Sequence, residues 1–266
     1  PGTLWKASLT TGDKTTLYPT TESPQGLALV GGTLFWVDNG HHLVGSYGLV
    51  TNMVTRKGLD TSVYGDGPPT IAVAANAGLA IGIPGSAGGS LLWIDTTLTT
   101  IAPTYSAKPY SIATSPTGPD AFWTDNQAGA VYRASYDQGS ATIATLAAAG
   151  AENNCESIAA SADSVYWTTF SGGGVRRAPI DTGAVEDVAV GESNPQSLAA
   201  DDTGVYWLTS NGTTGELRHR GPHDGAPKTI FTGLPVSIDD RFLTKIALSP
   251  THIAWYGGTS LYVLRK

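Results

Sequence analysis

The chain has 266 residues, 33 of them Gly and 16 Pro, with only 14% charged residues and a formal net charge of −7. The acidic balance and the lack of any Lys/Arg cluster argue against a nucleic-acid partner, and no run of 18 apolar residues is available to cross a membrane as a helix. Cys155 is the single cysteine, which excludes an intrachain disulfide and a paired-cysteine metal site.

Short bursts of Val, Ile, Thr, Tyr and Trp separated by Gly, Pro and Asp predict strands throughout. From the N-terminus, Thr3 to Leu9 and Lys14 to Tyr18 read as two strands around the turn Thr11-Gly12-Asp13. A phrase then recurs: Leu27-Ala28, Ile71-Ala72, Ile112-Ala113, Ile158-Ala159, Leu198-Ala199 and Ile246-Ala247, with the alanines 44, 41, 46, 40 and 48 residues apart. Eight residues after four of these alanines stands a tryptophan: Trp36, Trp167, Trp207 and Trp255. The third repeat has a longer turn and reaches Trp123, while the second places Ala80 at the tryptophan position and reads as degenerate. Third strands such as Val131-Tyr132-Arg133-Ala134 and Val175-Arg176-Arg177-Ala178 follow, then a polar turn and a fourth strand.

A four-stranded sheet of this size does not bury both faces alone, whereas radial stacking of repeated sheets does. The period therefore predicts one all-β domain over 1–266, a six-bladed β-propeller of four-stranded antiparallel blades. Lys245 to Leu264 supplies three strands of a last blade that both termini are expected to close. The third strand is then represented twice, an oddity that an upstream segment and a seventh blade would also explain.

Phe35-Trp36-Val37-Asp38, Phe122-Trp123-Thr124-Asp125 and Tyr166-Trp167-Thr168-Thr169 resemble the Tyr-Trp-Thr-Asp repeat of lipoprotein-receptor propellers and their bacterial extracytoplasmic relatives. The preceding phrases Pro109 to Ala113 and Pro195 to Ala199 match as well. The resemblance implies an exported or surface-bound monomer, or a domain of a longer chain, that binds a protein or a glycan. The chain opens at Pro1, and a signal segment is expected to have been removed. Because such scaffolds host many functions, the resemblance speaks to architecture more than to activity.

Loops before each inner strand and between second and third strands should share one polar end of the channel, the top, where function is expected. That end carries Asp38, His41, His42, Asn153, Asn154 and Arg241. Aligning the repeats puts Gln25, Pro69, Tyr110, Glu156, Gln196 and Thr244 at one position of the channel mouth, followed by Gly26, Thr70, Ser111, Ser157, Ser197 and, against the pattern, Lys245. Glu156 and Lys245 could hold a ligand or a proton, or form a structural ion pair. No cofactor is expected. Calcium on Glu156 with Asn153 or Asn154, and a metal on His41 or His42, are the weaker metal readings. The alternative function is a lactonase-like hydrolase or lyase with a metal or acid/base site at the mouth. No nucleophile elbow is present, and Cys155 beside Glu156 is a poor nucleophile.

Overall fold

The structure, a computed structural model, describes residues 2–8, 10–19, 24–38, 41–59, 70–74, 78–83, 89–95, 97–137, 140–148, 150, 152, 154–181, 183–234, 245–257 and 260–266. Every regular element among them is a strand, and no helix long and apolar enough to cross a membrane occurs there. β1 (Thr3–Ala7) and β2 (Lys14–Pro19) form a two-stranded sheet. Five four-stranded antiparallel blades follow. The first holds β3 (Pro24–Val30), β4 (Thr33–Asp38), β5 (Leu43–Gly48) and β6 (Val54–Gly58). The second holds β7 (Thr70–Ala74), β8 (Gly78–Ile83), β9 (Gly89–Asp95) and β10 (Thr100–Ala107). The third holds β11 (Ser111–Thr114), β12 (Asp120–Asp125), β13 (Ala130–Asp137) and β14 (Ser140–Ala147). The fourth holds β15 (Cys155–Ala160), β16 (Ser164–Thr169), β17 (Gly174–Pro179) and β18 (Glu186–Ala189). The fifth holds β19 (Leu198–Asp201), β20 (Gly204–Ser210), β21 (Gly215–Arg220) and β22 (Lys228–Leu234). β23 (Ile246–Leu248), β24 (His252–Gly257) and β25 (Ser260–Arg265) make a last, three-stranded sheet. The inner strands β3, β7, β11, β15, β19 and β23 stand side by side in chain order, the arrangement of a β-propeller.

The core lies between blades, in joints. Residues paired across strands share a face of the sheet. In each of the third, fourth and fifth blades and in the last sheet, the second-strand tryptophan turns toward the preceding blade. Trp167 packs on Phe122 and Val131, Trp207 on Tyr166 and Val175, and Trp255 on Tyr206 and Leu208. All three tryptophans are 2% exposed or less. A large flat side chain suits the outer wedge, where neighbouring sheets diverge and volume must be filled.

The second blade departs from its expected reading. Ile71 lies opposite Ile81, just as Ile112 lies opposite Trp123 and Ile158 opposite Trp167. Ile81 therefore occupies the tryptophan position, and Ala80 the position of Phe35 and Phe122. The spacing from the inner alanine is one residue longer here, and counting by eight lands on the wrong face. Trp93, on the third strand and directly opposite Ala80, restores the missing aromatic volume and packs with Trp123.

The termini do not share a hydrogen-bonded blade among the described residues. β25 pairs with β24 and β1 pairs with β2, in separate sheets. Both β1 and β25 carry the third-strand pattern, and one edge of β24 has room for a single third strand. The hairpin covers Trp36 of the first blade instead, through Leu4, Leu17 and Tyr18, with the Tyr18 and Trp36 rings 6.2 Å apart.

Candidate functional site

The loops sort as the repeat phase requires. Glu152 and Glu192, each four residues upstream of a mouth position, donate their amides to the carbonyls of Gly129 and Gly173 in the loops between second and third strands. Both glycines have positive φ, 62° and 60°. A Cβ on Gly173 would stand 2.7 Å from the Glu192 carbonyl oxygen, and one on Gly129 closer still to that of Glu152, so these tips require glycine.

Glu156 and Ser157 sit where the β15–β16 register shifts, between Cys155 and Ile158. Such bulges re-aim side chains. The Ser157 amide donates to Thr168 Oγ1 at 3.1 Å, off the regular ladder. Ser157 Oγ then accepts the amide of Leu198 at 3.1 Å, and Ser197 Oγ accepts that of Ile246 at 3.0 Å. The small hydroxyls of the aligned position thus pin one inner strand to the next. Lys245 stands at the next copy of that position and has no hydroxyl to offer.

Three of the residues expected at the mouth come from consecutive repeats. Glu156 is 8% exposed and Gln196 1%. Among the described residues the Gln196 side-chain oxygen and nitrogen have no hydrogen-bond partner, although its backbone amide donates to the Leu208 carbonyl at 2.8 Å. Lys245 reaches water. The protein around it still lowers its ammonium pKa through desolvation, against the pull of the Glu156 carboxylate. Water contact limits that depression. Tyr110 is half-buried at the same position of the third repeat, its amide bonded to Thr124 at 2.8 Å. Gln25 lies on β3, but its side chain is outside the described residues, as are Asn153 and Arg241 altogether.

Other expected residues serve the scaffold. Asp38 is fully buried and accepts the His41 amide at 2.7 Å, with His41 Nδ1 at 3.2 Å from the same oxygen. Asp125 does the same for the amide of Ala128 at 2.8 Å, so both motif aspartates tie turns. His42 has φ 50° in that turn. Asn154 turns its side-chain amide to Ser171 Oγ. Among the described residues no three His, Cys, Asp or Glu side chains come together as metal ligands. Cys155 is buried, and burial followed by the nearby Glu152 carboxylate pushes its thiol up to about 12, which removes it as a nucleophile.

One feature went unread in the sequence. A polar notch of about 390 Å³ opens on the fifth blade, lined by Glu192, Thr209, Asn211, Glu216 and Arg218. Glu192 accepts from Trp207 Nε1 at 3.1 Å and pairs with Arg218 at 3.3 Å. One repeat earlier, Glu152 pairs with Arg176 at 3.5 Å. Burial raises the Glu152 pKa, while Arg176 and Trp167 act to lower it. Recurrence at one repeat's distance marks these glutamates as struts between loop and third strand, and Glu192 also holds its tryptophan. The signal was present in the sequence as Glu152 and Glu192, 40 residues apart.

No protein-family model matches the chain, and no curated protein matches it. Solved structures do. A candidate 6-phosphogluconolactonase from Bacteroides uniformis superposes with a TM-score of 0.74 at 14% identity, over 99% of this chain and 87% of that one. Virginiamycin B lyase from Staphylococcus aureus gives 0.67 at 13% identity, over 91% and 84%. A nidogen/laminin complex gives 0.55 at 15% identity, over 95% and 80%. At such identities the likeness concerns the propeller fold alone.

Proposed function

We propose that the chain is the binding propeller of an exported or cell-surface protein. Its ligand, a protein segment or a glycan, engages the polar end of the channel through Glu156, Gln196 and Lys245, with Tyr110 beside them. Gln196 carries this reading. A carboxamide 1% exposed, with both of its polar atoms unpartnered among the described residues, is expensive to keep inside a protein unless something uses it. It lies one repeat from a carboxylate and one repeat from an ammonium group, so acceptor, amide and donor face one mouth. Six inner strands and the aromatic-Trp-Thr/Asp second strands support a six-repeat scaffold of the Tyr-Trp-Thr-Asp type.

A hydrolase or lyase reading draws on Lys245, whose lowered ammonium pKa beside Glu156 suits proton transfer. Glycan arrays and a random-peptide display library, probed with wild type and Gln196→Met, test the binding reading. Ligands that lose at least tenfold affinity for Gln196→Met, while the variant's Tm holds or rises, support it. Ligands bound equally by both proteins sink it. Turnover of a lactone and ester panel that disappears in Glu156→Gln transfers the site to the enzyme reading.

A further inference from the structure

The joint between the last sheet and the first blade differs from the other joints on both lips. Leu27, opposite Trp36 on the inner strand, is 56% exposed, whereas its counterparts Ile112, Ile158, Leu198 and Ile246 are 5–9% exposed. Leu261 stands opposite Tyr256 on β25 and is 40% exposed. Its counterparts Val44, Val131, Val175 and Leu217, each facing the following blade, are 0–1% exposed. Leu29 on the first lip and Val263 on the second extend the apolar stripes at 58% and 39%. β23 and β3 do not lie against each other as the other inner-strand neighbours do.

The hairpin shows what is absent from this joint. Leu4-Trp5-Lys6-Ala7 repeats the third-strand pattern of Val131-Tyr132-Arg133-Ala134. Leu4, 3% exposed, faces the first blade as Val131 and Val175 face theirs. The next residue in that pattern, Tyr132, stacks on the second-strand Trp123 of its own blade at 5.3 Å. Its equivalent Trp5 is 39% exposed, and the edge of β1 away from β2 pairs with no strand among the described residues. β1 and β2 therefore hold the third and fourth places of a blade whose first two places are open. That blade is distinct from β23–β25, which already has its third strand.

We propose that the cleft between β25 and β3 seats one further inner strand and aromatic second strand, which pair along the free edge of β1 and make β1–β2 the outer half of a seventh blade. The occupant is a strand-turn-strand segment of the repeat's own chemistry: a Ser-Leu/Ile-Ala inner strand, then a strand with aromatic-Trp. The joints ahead of the third, fourth and fifth blades argue for it, because each covers the same positions with that pattern. Leu27 would meet the inner strand, and Trp5 would stack on the incoming tryptophan.

A synthetic peptide of residues 195–209 of this chain, which carries Pro195 to Ala199 and Tyr206-Trp207, is the probe. It is titrated into the 266-residue protein by calorimetry, with hydrogen exchange of β1 and sedimentation in parallel. We expect saturable one-to-one binding, slowed exchange of β1 amides, and at least tenfold weaker affinity for Leu27→Asp and for Leu261→Asp. Both side chains are already exposed, so both variants should fold. A peptide with Trp207 replaced by Ala should bind at least tenfold more weakly. Absence of saturable binding, binding indifferent to both variants, or closure of the cleft by self-association of the free protein would each overturn the proposal.

Discussion

Gly45 offers the sharpest test of how the joints are built. It lies opposite Trp36 on β5, where other blades carry Tyr132, Arg176, Arg218 and, in the last sheet, Tyr262. A Cβ there would stand 2.7 Å from Cη2 of the Trp36 ring and closer still to Cζ2 and Cε2. Trp36 is fully buried and held on its far side by Tyr18 and Leu4, so it has little room to retreat. Backbone conformation is not the obstacle, since Gly45 is not in the left-handed region. Gly45→Ala should therefore cost about 2–3 kcal/mol as overpacking. At about 2–4 °C per kcal/mol for a chain of this size class, Tm should fall by roughly 4–12 °C. Gly58→Ala is the control: its Cβ would meet nothing within 4 Å, and a neutral or slightly stabilising change is expected. Urea and thermal melts followed by tryptophan fluorescence report the difference. In a Trp36→Leu background the Gly45→Ala penalty should shrink below about 0.5 kcal/mol. An unchanged penalty there, or a wild-type Tm for Gly45→Ala alone, would refute the steric account.

Two further outcomes follow. Ser197→Ala removes the acceptor of the buried Ile246 amide and should destabilise by about 1–3 kcal/mol, with faster hydrogen exchange in β23 than in β15. Lys245→Met should melt above wild type at pH 7, because folding lowers the lysine pKa and so opposes the ammonium form. The advantage is complete below the folded pKa. It declines as pH rises from there to the ordinary lysine value of about 10.4, since the unfolded state then holds the extra proton and wild type gains stability. A constant Tm difference from pH 7 to about pH 10.5 would contradict the assigned sign.

The repeats were legible because inner alanines and second-strand tryptophans recur with a period that few other folds require. The polar end was legible for the same reason, and the amides of Glu152 and Glu192 reach the loops that the phase predicts. The second blade was misread because position was counted along the chain, while pairing sets the face: one extra residue moves Ala80 onto the other side of β8. No rule of periodicity announces that Trp93, on β9, substitutes for an aromatic missing from β8. Asp38 looked like a site residue because acids on loops often are; its turn hydrogen bond, like that of Asp125, is visible only in three dimensions. Exposure of Leu27 and Leu261 was also hidden, since both match buried repeat positions and only the neighbouring sheet decides their environment.

The serine pins between inner strands give the ring a direction. Each hydroxyl from Ser157 onward grips the amide of the strand that follows, so a disturbance in one repeat is felt chiefly by its successor. The chain of grips stops at Lys245. A toroid held this way resembles a belt more than a disc, tight along its length and adjustable at the buckle. Where Lys245 replaces the fastening with a charge, the joint can adjust to what occupies it, and the bore of the channel with it.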